Sequence, residues 1–207
     1  MSYSEPAPTK THRIRIRWSR VAGLLVIVAI AAALLSTSSS TPAPRTAVVP
    51  SERRGAAGEA DGAVPDRTTV FDDEVPGVAK LDPALLGALR RAATDAEGDG
   101  VEFLVDSGWR SSQYQEHLLR RAISKYGSEA QAARWVATPN RSAHVKGDAV
   151  DIGRSDAAAW LSQHGAGYGL CQIYANEPWH FELRPEARER GCPALYADPT
   201  HDPRMQQ

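Results

Sequence analysis

Apolar positions fall into two regimes along the chain. From Val21 to Leu35 they form an unbroken uncharged run. Beyond residue 76 they recur at the spacings of secondary structure. Asp82-Pro83 followed by Leu85, Leu86, Leu89 and Ala92 predicts a helix with an N-cap, a proline at its first position and one apolar stripe. Residues 101–105, Val-Glu-Phe-Leu-Val, predict a strand that delivers Arg110 beyond its far end. Helices are predicted over 112–126 and 128–137, and in the first of these Tyr114, Leu118 and Ala122 have the 3–4 spacing of a core face. In Ala149-Val150-Asp151-Ile152 the alternation predicts a strand, with Ala149 and Asp151 on one face and Val150 and Ile152 turned towards a core. Residues 155–161 open another helix, and 171–174 with 179–183 form a hairpin around Ala175-Asn176-Glu177-Pro178. The expected class is α+β, a small central antiparallel sheet with helices packed on one side.

The uncharged run changes the picture of organisation. Lys10, Arg13, Arg15, Arg17 and Arg20 precede it, and positive charge on that side keeps it in the cytoplasm. The expectation is a cytoplasmic basic segment over 1–20 and a membrane anchor or export signal over 21–37, near the lower bound of about 17 residues for a spanning helix. No Ala-x-Ala follows the run directly, which favours an uncleaved anchor over secretion after cleavage. Residues 38–75 are rich in Ser, Thr, Pro, Ala and Gly, with almost no large apolar side chains, and read as a disordered tether. Residues 76–207 remain as one domain outside the membrane, expected to be a monomer.

The net charge of −1 leaves no basic patch once the N-terminal charges are assigned to topology, which argues against nucleic acid as a partner. Cys171 and Cys192 are the only cysteines, and both lie in the part expected to be exported, where a disulfide persists. Paired, they would close a loop holding Glu177 and His180, worth about 3 kcal/mol in the chain-entropy description. Zinc ligation by the two thiols is the competing reading, but they lack Cys-x-x-Cys spacing.

The candidate chemistry lies in Ser142-Ala143-His144-Val145-Lys146-Gly147-Asp148-Ala149-Val150-Asp151 and in Glu177-Pro178-Trp179-His180. His144, Asp151 and His180 make a mixed nitrogen and oxygen donor set of the kind that leaves a fourth tetrahedral position in catalytic zinc centres. In Glu-x-x-His the carboxylate is held close to a ligand without being one, which suits Glu177 as a general base. His117, His164 and His201 lie in a helix, at a helix end and in a polar tail, and are not expected to be ligands.

Ser-x-His-x-x-Gly-x-Ala-x-Asp with a later Glu-Pro-Trp-His, preceded by Ser107-Gly108-Trp109-Arg110-Ser111, resembles the VanY-type D-alanyl-D-alanine carboxypeptidases. Their relatives are the VanX dipeptidases and phage peptidoglycan endopeptidases. The resemblance covers about residues 76–196. It implies one Zn2+ on His144, Asp151 and His180, Glu177 as base, Arg110 as oxyanion stabiliser, and Ser142 and Trp109 in substrate binding. Trp109 stands where that family has Tyr. The substrate implied is the peptidoglycan stem pentapeptide, losing its terminal D-Ala. Dipeptidase or endopeptidase activity is the enzymatic alternative, and a non-catalytic zinc-stabilised wall-binding module is the alternative of another class. A role in wall remodelling or in glycopeptide resistance follows from the reaction.

Overall fold

The computed structural model describes residues 58–206. The expected basic segment, the 21–37 anchor and the tether up to residue 57 lie outside the described residues. Among the described residues no helix is long and apolar enough to cross a membrane.

Helix α1 (Pro76–Ala79) leads into α2 (Pro83–Gly98), whose N-cap is Asp82. The Asp82 carboxylate accepts from the backbone N–H of Ala84 at 2.9 Å and of Leu85 at 3.1 Å, satisfying two groups that no helix can satisfy internally. Strand β1 (Leu104–Ser107) precedes α3 (Ser112–Tyr126), capped by Ser111 and ended by Gly127 in the left-handed conformation. Then come α4 (Glu129–Ala132), α5 (Ala143–Lys146), β2 (Ala149–Gly153), α6 (Ser155–His164), β3 (Leu170–Gln172), β4 (His180–Leu183) and α7 (Ala187–Arg190). Short 3-10 turns at 199–201 and 203–205 complete the described chain.

The four strands form one antiparallel sheet in the order β1-β2-β4-β3. Its register explains its two faces. Val105 pairs with Ile152, Val150 with Phe181, and Leu170 with Leu183, so these side chains share one face. Leu85, Leu89 and Ala92 of α2 and Ala157 and Leu161 of α6 join that face in a single buried core. On the opposite face Asp151 pairs with Ser107 on one side and with His180 on the other, so three polar side chains stand in a row across three strands. The next row sets Ala149 opposite Glu182, and Glu182 opposite Cys171. The α+β class and the helix-covered sheet are therefore as the hydrophobic pattern predicts.

Four expectations need correction. The tether does not extend to residue 75. Residues 58–75 belong to the fold, because Val70 is wholly buried and Val75 nearly so, although Phe71 stays exposed. The Thr68 carbonyl accepts from Val105 N–H at 2.8 Å, and Asp61 receives both the Ser111 N–H and its hydroxyl. Strand β1 starts at Leu104 rather than Val101, since Phe103 turns inward to meet Trp160 edge-on at 5.8 Å. Helix α4 stops at Ala132 instead of running to 137: Trp135 stacks on Tyr126, and Gln115 Nε2 draws the Ala137 carbonyl to 2.9 Å. Leu118 lines a cleft instead of the core, whereas Ala122 is buried as expected and borders the same cleft.

Candidate metal centre

The site forms where the polar row of the sheet meets the turn that carries α5. That turn is fixed by Gly147 at φ 81°, whose missing Cβ would come within 2.6 Å of the Lys80 carbonyl. Its own carbonyl accepts from Asp82 N–H at 2.9 Å, tying the turn to the start of α2. His144 thereby stands over the sheet. Its Nδ1 donates to the Gly108 carbonyl at 2.8 Å, which leaves Nε2 with its lone pair 3.3 Å from Asp151 Oδ1. Gly108 is a glycine for a reason of space: a Cβ there would lie 2.0 Å from the Gly77 carbonyl oxygen.

His180 reaches the same Asp151 oxygen through Nδ1 at 3.1 Å, and its Nε2 faces Glu182 Oε1 at 3.3 Å. The three residues are buried and offer donor atoms within 4.8 Å of one another. A tetrahedral zinc with ligands at about 2.0–2.1 Å has edges of about 3.3–3.4 Å between ligand atoms. The separations of 3.3 and 3.1 Å match such edges to within a few tenths of an ångström. One carboxylate and two imidazoles, each ring held through its other nitrogen, fit a zinc ion in donor chemistry and in spacing.

The electrostatics agree. Burial pushes the His144 pKa down, helped by the Arg110 charge, so this imidazole is neutral as a ligand must be. Burial alone would raise Asp151, but His144, His180 and Arg110 hold it well below the ordinary carboxylate value. His180 is the opposite case. Burial lowers it, yet its contacts with Asp151 and Glu182 raise it to about 9, so in the metal-free site a proton sits on the ring that an ion would displace.

Glu177 Oε2 lies 3.9 Å from His180 Nδ1, and its side chain is buried. Burial and the Asp151 charge push it up to about 7, with His180 and Arg110 acting in the other direction. Arg110 is held by three acceptors: Ser107 Oγ at 2.6 Å, Gln115 Oε1 at 3.2 Å and Asp151 Oδ2 at 2.7 Å. Its guanidinium takes the carboxylate oxygen that the histidines leave free. Ser142 is buried on the cleft wall, and its hydroxyl caps no backbone N–H of α5.

Trp109 does not join these residues. It lies off the cleft wall, with the Lys80 ammonium 3.8 Å from its ring centroid and its backbone N–H donating to the Gly77 carbonyl. Adjacent side chains in an extended segment point opposite ways, so turning Arg110 into the site turns Trp109 out of it. The exposed aromatics on the cleft are Trp135 and Trp179.

Sequence reasoning missed three polar residues. Glu182, almost fully buried, holds His180 Nε2 and could have been found two residues beyond His180 on the same strand face. Gln115 steadies Arg110. Arg204 reaches from the C-terminal turn to Glu182 at 2.6 Å and chelates Asp202. His180 first, then Arg204 and Arg184, hold Glu182 well below the ordinary glutamate pKa, against the upward push of burial. The Cys171–Cys192 disulfide is formed, with Cα atoms 5.5 Å apart, and braces the hairpin that bears Glu177 and His180.

A two-imidazole, one-carboxylate donor set with a buried carboxylate beside it, open to a cleft of about 440 Å³, could hold a metal ion with the donor set of hydrolytic centres. The model of the VanY D-alanyl-D-alanine carboxypeptidase family matches residues 78–186, just over half of the 207 residues, and the chain belongs to that family. It is 25% identical over 143 residues to a D-alanyl-D-alanine carboxypeptidase of Enterococcus faecalis, covering 57% of this chain and 53% of the relative. It thus spans about half the length of that curated relative. The LdcB LD-carboxypeptidase has a similar fold, with TM-score 0.50 and 22% identity over 64% of this chain and 71% of that one. VanYB in complex with D-Alanine-D-Alanine is 25% identical over 54% of this chain and 74% of that one, with TM-score 0.49.

Proposed function

We propose that the protein is a zinc D,D-carboxypeptidase that removes the terminal D-Ala from peptidoglycan stem pentapeptides. The observation that carries this reading is the convergence of His144, Asp151 and His180 in one buried cleft with Glu177 beside them. Membership of the carboxypeptidase family supports the reaction. The basic and apolar N-terminal segments support a domain held outside the membrane, where pentapeptides are displayed and free D-Ala-D-Ala is scarce. That location favours carboxypeptidase over dipeptidase activity.

Each residue has a proposed task. His144, Asp151 and His180 hold the ion, with Gly108 and Glu182 fixing the imidazoles through their second nitrogens. Bound zinc supplies Lewis-acid activation of water and of the scissile carbonyl. Glu177 Oε2 takes the proton of the attacking water and returns it to the leaving amine, for which a pKa near 7 suits both directions of transfer. Arg110, immobilised by three acceptors, presents positive charge without reorganisation where the carbonyl oxygen becomes negative. The Ser142 hydroxyl is available to the substrate peptide.

The test is incubation of the full-length protein and its Glu177→Gln variant with zinc and a muramyl pentapeptide ending in D-Ala-D-Ala, with products read by mass. Loss of one alanine by the unaltered protein alone is expected. Release of the dipeptide or an internal cut moves the assignment to a related peptidase. Zinc binding without any cleavage points to a wall-binding module.

A further inference from the structure

We infer that the α3 wall of the cleft selects peptides with a free carboxylate upstream of the scissile bond, and so a stem peptide whose second or third residue is un-amidated and acidic. This rests on the carboxypeptidase reading and names the substrate class within it.

Helix α3 is moored to the metal centre at one end, where Gln115 accepts from Arg110 and Arg110 donates to Asp151. From there Leu118, Arg121, Ala122 and Lys125 line the cleft at helical spacing, and the groove ends at the stacked rings of Tyr126 and Trp135, 5.8 Å apart. The cleft wall therefore becomes cationic with distance from the metal. Among the described residues Asp151 and Glu177 are the only carboxylates on it, both at the metal end. Among the described residues neither Arg121 nor Lys125 has a carboxylate within ion-pair distance, whereas Arg120, turned outwards on the same helix, pairs with Glu116 at 3.0 Å. Lys125 rests over the Tyr126 ring at 4.8 Å. Two cations facing a cleft without a carboxylate partner among the described residues invite an anion.

Distance decides which anion. At 1.5 Å per residue, Arg121 and Lys125 lie about 9 and 15 Å beyond Gln115 along the helix, and leaning towards its N-terminus brings their charged groups back by about one turn. That leaves the charged groups about 4 and 10 Å beyond Gln115, and an extended peptide advances about 3.3–3.6 Å per residue, so they stand opposite positions about one and three residues further along the chain from the metal end of the helix. A carboxypeptidase has a single residue on the leaving side. Its terminal carboxylate stays within one residue's reach of the scissile carbonyl, so the rest of the groove belongs to the upstream chain. In a stem peptide the upstream carboxylates are that of the γ-linked glutamate at the second residue and, where the third residue is a diamino-dicarboxylic acid instead of lysine, that of its side chain.

The experiment measures kcat/KM of the full-length zinc-loaded protein on four pentapeptides ending in D-Ala-D-Ala. They combine γ-glutamate or its amide at the second residue with a diamino-dicarboxylic acid or lysine at the third. A preference of about tenfold for free carboxylates is expected, the yield of one or two partly exposed ion pairs. The position at which amidation or replacement lowers the rate identifies the source of the carboxylate. In the Arg121→Gln, Lys125→Gln double variant the preference should fall to within about twofold, and in Arg121→Lys, Lys125→Arg it should persist. Equal rates on all four peptides, or a preference untouched by the neutral variant, would overturn the inference. Were the terminal carboxylate the true occupant, the neutral variant would slow all four peptides alike. Salt gives a variant-free check: the preference should collapse between about 0.02 and 0.5 M, and persistence counts against it. If no peptide is cleaved, the carboxypeptidase reading fails by itself, and calorimetric Kd values for the same peptides then decide the carboxylate preference.

Discussion

Replacing Arg204 with alanine should weaken the fold and loosen zinc together, although Arg204 touches no ligand. Its guanidinium lies between two buried carboxylates, Glu182 at 1% exposure and Asp202 at 0%, donating to the first at 2.6 and 3.3 Å and to the second at 2.9 and 3.0 Å through Nε. Removing one partner of a buried ion pair costs about 3–5 kcal/mol. The Arg204 side chain is 43% exposed, so water screens part of that loss. Glu182 also keeps Arg184, and Asp202 keeps the Tyr174 hydroxyl. A destabilisation of about 2 kcal/mol is the expected balance. Zinc affinity should fall by about tenfold, the low end of the range for residues that orient a ligand from behind, because Arg204 acts through Glu182 on His180. Urea unfolding gives the first quantity and competition with a chromophoric chelator the second. The sign of the pH dependence is an internal check. Glu182 is depressed in the folded state, so its stabilisation is present above 4.5 and lost as pH falls towards the folded value. The gap between Arg204→Ala and the unaltered protein should therefore narrow in acid. Unchanged zinc affinity with stability within about 0.5 kcal/mol would refute the idea that the C-terminal turn supports the centre.

Glu177→Gln should lower kcat by about 10²–10⁴ while zinc affinity stays within a few-fold, and calorimetric retention of the metal separates this from misfolding. Since Glu177 must be ionised to accept a proton and is pushed up to about 7, kcat/KM should fall on the acid side, with the limb at or below 7 once a cation draws the carboxylate down. A profile flat down to about pH 4 would count against Glu177 as base. Zinc binding near neutral pH should release at least one proton, because His180 holds one up to about 9, and titrations in buffers of different ionisation heat would detect it. A chain beginning at residue 76 should lose about 3–6 kcal/mol relative to one beginning at residue 58, through the burial of Val70 and Val75 alone. Equal thermal midpoints for the two would restore the tether reading for 58–75.

The hydrophobic alternation of 149–152 was enough to aim Asp151 and to bury Val150 and Ile152, because a strand has only two faces. Pro83 behind Asp82 announced a helix through groups that backbone termini require. Residues 58–75 read as tether because valine density is a poor guide when a segment packs on a finished core. It needs only Val70 and Val75 buried, with backbone contacts to β1 and to the turn before α3 supplying the rest. Trp109 misled for a related reason: a motif gives residue identity, but the pleat assigns adjacent residues to opposite sides.

What sequence spacing reached was the set of donors, and what it could not reach was the set of groups that hold them. Donor identity is local, since a carboxylate on a strand and a histidine before a glycine turn carry their geometry with them. The supports act across the fold: Gly108 to His144 over 36 positions, Arg110 to Asp151 over 41, Arg204 to Glu182 over 22. Arg204 also lies beyond the family match, which ends at residue 186. The candidate donors lie within the matched residues, while one clamp behind them comes from a C-terminal turn outside the match. Changes in that turn can tune metal retention without altering any ligand, and Glu182, buried between His180 and Arg204, is the residue through which such tuning passes.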